Sequence, residues 1–161
     1  MQPLALLPGA GVLCLARNAF VKAAKKNHIR ILDLLLGDPG KISTSAGLED
    51  ALSKAAKYSQ IDSVLKTMEH VDKFSYGGID GALKQAAKDN RLNICQMLLQ
   101  GNDRITFAGM SDALKYAALR GHADIACILK ASSNNIFWRN VKDTLHNAAP
   151  KDHLATVQAL L

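Results

Sequence analysis

The chain has 161 residues, of which 48% are hydrophobic and 21% are charged, and its formal net charge is +6. This composition predicts one globular domain with its own core and excludes an intrinsically disordered protein. The positive charge favours an acidic partner, whether protein, nucleic acid or anionic membrane, but charge alone does not choose among them.

The first segment, residues 1–17, is apolar but carries no basic residue before its apolar run and contains Pro8, Gly9 and Gly11. A secretory signal peptide has the opposite features, so this segment is a poor candidate for one. Nowhere in the chain is an apolar run long enough to span a bilayer.

From residue 18 onward, five consecutive segments share one sequence pattern. The units begin at Asn18, Asp50, Gly81, Asp112 and Asp143, at spacings of 32, 31, 31 and 31 residues, and each contains a pair of alanines. A near-constant period of this length is typical of an array of stacked repeats.

The residue pattern of each unit predicts a helix-turn-helix hairpin. The opening residues are types that cap or tolerate a helix start, so we expect the first helix to begin there. Nine residues later come types that tolerate the left-handed conformation, which predicts a first helix of about two turns; these are Asn27, Ser59, Asn90, Gly121 and Asp152. An apolar run follows, such as Ile29 to Leu36, and predicts a second helix with one buried face. The alanine pairs are expected where the first helix is packed on both sides.

The connectors between hairpins have the same period. The segments 41–44, 73–76, 104–107 and 135–138 resemble one another in sequence, which indicates structured loops. An apolar residue near the start of each following unit is expected to fix the direction of the chain; these residues are Leu48, Ile79, Met110 and Val141.

These residues carry a resemblance to a known family. "ALKYAALRGHADIACIL" is similar to the "PLHxAAxxGHxxIVxxLL" core of the ankyrin repeat, and "TLHNAAPKDHLATVQALL" keeps its Leu-His and its final Leu-Leu. The resemblance implies an all-α, ankyrin-like solenoid of stacked hairpins with projecting connectors, a concave surface and a role in protein binding. The units lack the usual Asp-Gly turn and are shorter than the consensus of about 33 residues, so the connectors are expected to be trimmed.

We therefore expect one repeat domain over residues 1–161, with residues 1–17 as the remnant or cap of a preceding unit. The chain stops at Leu160 and Leu161 within an apolar face, whereas arrays usually close with a polar cap. This favours a fragment of a longer protein.

No catalytic or metal-binding motif stands out. His28, His122 and His153 share the first position after the turn, which favours one structural role over catalysis. The three cysteines show no CxxC spacing, which predicts a reducing compartment such as the cytoplasm, and Cys95 and Cys127 are expected to act as small hydrophobes. Phosphate-loop, HExxH and GxSxG patterns are missing from the sequence, so we expect neither enzymatic activity nor a cofactor.

The exposed positions of the first helices hold ten of the twenty basic residues: Lys22, Lys25, Lys26, Lys54, Lys57, Lys84, Lys88, Lys115, Arg120 and Lys151. The sequence places one acid, Asp89, among them. A row of like charges concentrates potential and steers an acidic ligand. The alternative is a solvated face, because lysine suits exposed helix positions.

Aromatic residues accompany this basic row. Tyr58 and Tyr116 stand among the same exposed positions, and Tyr76, Phe107 and Trp138 recur at one connector position. Aromatic residues commonly anchor interfaces. In an extended connector they would share a face with the apolar residues two positions earlier, so burial of that face is favoured over exposure.

The leading hypothesis is a non-enzymatic scaffold that binds an acidic segment of another protein through the basic first helices and the connector tips. A binder of nucleic acid or anionic lipid, or a targeting module of a larger enzyme, is the alternative. Short, irregular ankyrin units also resemble those of host-directed bacterial and viral effectors, which would place the chain in the host cytosol or nucleus.

Overall fold

The computed structural model describes residues 10–37, 45–70, 72, 74–100, 104–132, 141–142, 144–146, 149 and 153–161, and all regular structure in these ranges is helical. The helices are α1 (Ala10–Lys25), α2 (Ile29–Leu36), α3 (Ser45–Lys57), α4 (Ile61–Met68), α5 (Tyr76–Lys88), α6 (Leu92–Leu99), α7 (Phe107–Arg120), α8 (Ala123–Ser132) and α9 (Leu154–Leu160). Residues 141–142 and 144–146 are helical as well. The all-α class is therefore confirmed.

A search of the described helices finds none with the length and apolar character needed to cross a membrane.

The helices pack in a regular order. Helix α1 contacts α3, α3 contacts α5, and α5 contacts α7, so the first helices of the units form one row. Each first helix also contacts its own second helix, while α2 packs on α4, α6 on α8 and α8 on α9. One continuous core results, and its large buried side chains include Leu52, Leu83 and Leu114 at the same repeat position.

The alanine pairs lie where the sequence predicts them in four of the units. Ala55, Ala86 and Ala117 are fully buried, and the other alanines of the first four pairs are buried as well. In the fifth unit the prediction is wrong for Ala149, which is exposed, and Ala148 lies outside the described residues. Small side chains in the row allow neighbouring first helices to approach closely.

The predicted ends of the first helices are confirmed. Asn27, Ser59 and Asn90 have φ values of 57°, 58° and 56°, and Gly121 has 75°, so all four adopt the left-handed conformation. A residue in this conformation turns the chain from the first helix into the second. Asp152, the fifth predicted turn residue, lies outside the described residues.

The predicted starts of the first helices are wrong. Helices α3, α5 and α7 begin at Ser45, Tyr76 and Phe107, five residues before the expected caps Asp50, Gly81 and Asp112. Similarly, residues 10–17 form the first part of α1 and run into the first unit without a break. Residues 45–49, 76–80 and 107–111, which precede the expected caps, thus already belong to these helices. The first helices are 13 to 16 residues long and exceed the predicted two turns.

Candidate functional site

Three lysines occupy the C-terminal ends of adjacent first helices. Lys25 is the last residue of α1, Lys57 of α3 and Lys88 of α5. Because these three helices pack in a row, their final residues form a column, which we call the lysine column. A cation at a helix C-terminus also interacts favourably with the helix dipole, so this position stabilises the helices as well as concentrating charge.

The remaining predicted basic residues surround the lysine column. Lys22, Lys25, Lys26, Lys54, Lys115 and Arg120 are exposed, and Lys57, Lys84 and Lys88 are half-buried. We call these nine residues the basic face. Lys151 lies outside the described residues. All nine lie on first helices or, for Lys26, directly after one, as the sequence predicts.

Two tyrosines lie between the lysines. The ammonium nitrogen of Lys25 is 4.6 Å from the centroid of the Tyr58 ring, and that of Lys57 is 5.8 Å from the same centroid. Tyr116 on α7 has the same relationship with two lysines of α5, Lys84 at 5.0 Å and Lys88 at 5.9 Å. Cation–π attraction holds these lysines in place and joins neighbouring units across the row.

The lysines change the chemistry of Tyr58. Its pKa is lowered from the ordinary value, first because Lys25 hydrogen-bonds to the hydroxyl and then because the ammonium charges of Lys25, Lys57 and Lys54 favour the phenolate. The negatively charged form of a group is therefore stabilised at the position of the Tyr58 hydroxyl. The lowered pKa indicates that the local potential is positive.

Acids partly neutralise the edges of the basic face. The sequence assigned Asp112 to a helix cap, but it lies within α7 and its carboxylate is 3.2 Å from the ammonium nitrogen of Lys84. Asp50, also expected to be a cap, pairs with Arg17. The sequence therefore missed one acid, Asp112, that lies outside these positions and pairs with the basic face. Among the residues that the structure describes, no acid forms an ion pair with the lysine column.

A lysine on the second-helix side has the opposite environment. Lys66 on α4 lies 2.8 Å from Asp33 and 2.9 Å from Glu69. Hydrogen bonds to Asp33 and then to Glu69 raise the pKa of Lys66 to about 12. The charge of Lys66 is thus compensated by two carboxylates, whereas the described acids form no ion pair with the lysine column.

The backbone beneath the lysine column is held by hydrogen bonds from the next unit. The Arg91 side chain donates from Nε to the Lys57 carbonyl at 3.2 Å, and His122 Nε2 lies 3.3 Å from the Lys88 carbonyl. His153 contacts the Leu119 carbonyl in the same way at 3.3 Å. A carbonyl only accepts, so these histidines carry a proton on Nε2. The shared structural role predicted for the histidines is present at His122 and His153.

A second set of contacts joins the N-terminal ends of the first helices. The Glu49 carboxylate accepts hydrogen bonds from the Ser75 backbone N–H at 3.0 Å and from its hydroxyl at 2.7 Å. One unit later, Asp80 accepts from the N–H and hydroxyl of Thr106. We call these contacts the cap latches. Ser75 and Thr106 are the N-cap residues of α5 and α7, which explains why those helices begin early.

The cap latches require glycine beneath them. A β-carbon on Gly78 would overlap the side chain of Glu49, and one on Gly109 would overlap that of Asp80. Sequence reasoning missed this set, although its signal is visible as a Ser or Thr followed three residues later by Gly, with a 31-residue period. The signal is easily missed, because a glycine between two helices also fits a turn.

The connector aromatics are exposed, contrary to the expectation of burial. Tyr76 is 62% exposed and Phe107 is 47% exposed, whereas Phe74 is buried. Tyr76 and Phe107 are the first residues of α5 and α7, so they do not continue the extended chain that would have put them on the side of Phe74. Trp138 lies outside the described residues.

A shallow groove adjoins the basic face at Lys84. It lies between α5 and α7, has a volume of about 230 Å³, and is lined by Gly77, Asp80, Gly81, Lys84, Ala108, Gly109 and Asp112. Its small side chains leave room for a ligand backbone, and its carboxylates place negative charge at the N-terminal end. The exposed surface of this helix row is therefore acidic toward the aromatics and basic toward the lysine column.

The cysteines differ in accessibility. Cys95 is fully buried and burial raises the pKa of its thiol to about 12, so it is a core hydrophobe as predicted. Cys127 is exposed, which contradicts the prediction, because it lies one position beyond the buried column that holds Cys95 and Ala126. Cys14 is also exposed. Within the described ranges, His, Cys, Asp and Glu do not form a group of three that could hold a metal ion.

No protein-family model matches the chain, and no curated protein is similar enough in sequence to count as a relative.

Proposed function

We propose that the chain is an ankyrin-like repeat array that acts as a non-enzymatic scaffold and binds an acidic segment of a partner protein across its basic face. The observation that carries the proposal is the lysine column, where three lysines on adjacent helices have no described acidic partner. Like charges of this kind concentrate potential and accelerate association with an acidic ligand.

Three structural features support binding of a protein rather than of free anions. At Lys84 the basic face continues into a shallow groove of about 230 Å³ that is lined largely by glycine and alanine. Tyr58, Tyr76 and Phe107 add exposed aromatic area of the type that anchors interfaces. Hydrogen bonds from Arg91 and His122 hold the backbone of the column, so little ordering is required on binding.

The ankyrin-like assignment draws on the repeat period, the four described left-handed turns and the row of first helices. A reducing compartment such as the cytoplasm is part of the same proposal, since two exposed thiols, Cys14 and Cys127, suit a reducing environment.

The test is capture of binding proteins from a cell lysate by the wild-type chain and by two matched variants. The Lys57→Gln/Lys88→Gln variant removes two charges from the lysine column. The Arg30→Gln/Lys142→Gln variant removes two charges from exposed positions outside it. All three proteins should have the same helicity, and the column variant should lose only a small part of its stability, because helix-dipole and cation–π contacts of such lysines contribute about 0.3–1 kcal/mol each.

We expect a specific protein to be captured by the wild type and by the control variant, to be lost with the column variant, and to survive nuclease treatment. Loss on nuclease treatment would instead identify nucleic acid as the ligand, with the steep salt dependence of phosphate binding. Equal capture by all three chains would show that the lysine column is a solvated face and would refute the proposal.

A further inference from the structure

The lysines of the lysine column lie at a regular spacing. A ligand that pairs with all three must carry its acidic groups at the same spacing. Lys25, Lys57 and Lys88 end three helices that pack side by side. Packed helices lie about 8–10 Å apart, so successive lysines are offered at about that interval. Lys25, Lys57 and Lys88 also share one repeat position, whose match in the fourth unit is Leu119; α7 ends one residue later at Arg120, outside this register, so the column holds three lysines.

Side-chain contacts restrain the lysines as well as the backbone. Lys25 and Lys57 both lie within 5.8 Å of the centroid of the Tyr58 ring, and the ammonium nitrogen of Lys88 lies 5.9 Å from the centroid of the Tyr116 ring in the next unit. Asn27, two residues after Lys25, accepts hydrogen bonds from the N–H of Ser63 at 3.1 Å and from its hydroxyl at 2.8 Å. The carbonyls of Lys57 and Lys88 are held by Arg91 and His122.

One backbone conformation matches the interval with all its acidic groups on one side. A polyproline-II helix has three residues per turn and rises about 3.1 Å per residue, so every third residue faces the same way at about 9.3 Å intervals. In a β-strand, residues three apart face opposite sides. In an α-helix, residues three or four apart are only about 5–6 Å apart, and residues seven apart, which share a face, are about 10.5 Å apart and so exceed the interval.

We propose that the lysine column binds a polyproline-II segment of a partner protein that carries an acidic residue at every third position, three in succession. This inference rests on the proposed function and adds the conformation and the spacing of the acidic segment. Each carboxylate lies opposite one lysine, and the intervening residues face away from the column or into the groove between α5 and α7.

Two fluorescent peptides of identical composition test the spacing. One is Pro-Pro-Glu repeated three times; the other carries the same six prolines followed by three consecutive glutamates. Both have the same charge and both favour polyproline II, so they differ in the placement of the carboxylates alone. Binding to the full chain is measured by fluorescence anisotropy at low salt.

We expect the spaced peptide to bind at least about five-fold more tightly than the clustered one, since each exposed ion pair adds a modest amount. Lys57→Gln, which removes the central charge, should abolish this difference, whereas Arg30→Gln should leave it unchanged. That pair of results would support the proposal.

Other outcomes would overturn it and would separate it from the proposed function. Equal affinity for both peptides, still dependent on Lys57, would refute the spacing and leave the basic face as a binding site. Failure of both peptides to bind at about 1 mM, beside successful lysine-dependent capture of a protein from lysate, would refute the polyproline-II ligand alone. A single-stranded oligonucleotide of equal charge that displaces the spaced peptide and binds more tightly than it would refute both proposals.

Discussion

Asp80 on α5 accepts hydrogen bonds from both the backbone N–H and the hydroxyl of Thr106, the residue that caps α7. The Thr106 hydroxyl in turn accepts from the Gly109 N–H at 3.0 Å. One carboxylate therefore fixes where the first helix of the next unit begins. Glu49 accepts the same two hydrogen bonds from Ser75 one unit earlier, so the contact couples the starts of neighbouring helices.

Removing this latch should show that its two residues act together. We expect Asp80→Ala and Thr106→Ala each to lower the free energy of unfolding by about 1–2 kcal/mol, because each leaves helix N–H groups without their acceptor. The double variant should lose less than the sum of the two, and urea unfolding of all four proteins measures the difference. Strict additivity would mean that the hydrogen bonds contribute no coupling.

Two adjacent glycines of α5 should respond in opposite directions to alanine. Gly77→Ala adds a β-carbon that meets ordinary van der Waals space near Ser75, so the better helix propensity should stabilise the protein by up to about 1 kcal/mol. Gly78→Ala should lower the melting temperature, because its β-carbon displaces Glu49. Adding Glu49→Ala to Gly78→Ala should recover part of the loss. A stabilising Gly78→Ala would contradict the close packing of the cap latch.

Burial of Cys95 predicts a loss of stability at alkaline pH. The pKa of its thiol is raised by burial to about 12 from an ordinary value of 9.0. Above pH 9 the unfolded chain releases this proton while the folded chain keeps it, so the free energy of unfolding falls as pH rises toward 12. Below pH 9 both states hold the proton and no effect is expected.

Other groups titrate in the same range, so the measurement is a comparison between wild type and Cys95→Val. The difference in unfolding free energy between the two proteins should be constant up to pH 9 and should then shift against the wild type. A difference that stays constant through pH 11 would show that the thiol titrates normally in the folded protein.

The row of first helices should not tolerate a large side chain at its centre. Ala117 on α7 is fully buried, and we expect Ala117→Leu to lower the free energy of unfolding by about 1–3 kcal/mol through overpacking. Lys115→Leu, on the exposed side of the same helix, adds leucine without this clash and serves as the control. An unchanged melting temperature for Ala117→Leu would argue against close contact between the first helices.

The sequence determined the elements whose signals are local. The 31-residue period, the left-handed turns at Asn27, Ser59 and Asn90, and the alanine pairs of the first four units could all be read from residue types, because steric limits on the backbone and on packing act within one hairpin. The exposed position of the lysines followed from the same helical register.

Only the tertiary structure decided the features that depend on the neighbouring unit. The caps of α5 and α7, Ser75 and Thr106, are held by Glu49 and Asp80, which lie 26 residues earlier in the chain, so the sequence of each unit taken alone predicts the cap six residues too late. The partners of Asp50 and Asp112 and the stacking of lysines on Tyr58 and Tyr116 also cross from one unit to another. The residue pattern of one unit specifies its own hairpin. Hydrogen bonds and ion pairs between hairpins join residues that come close together only when the units pack.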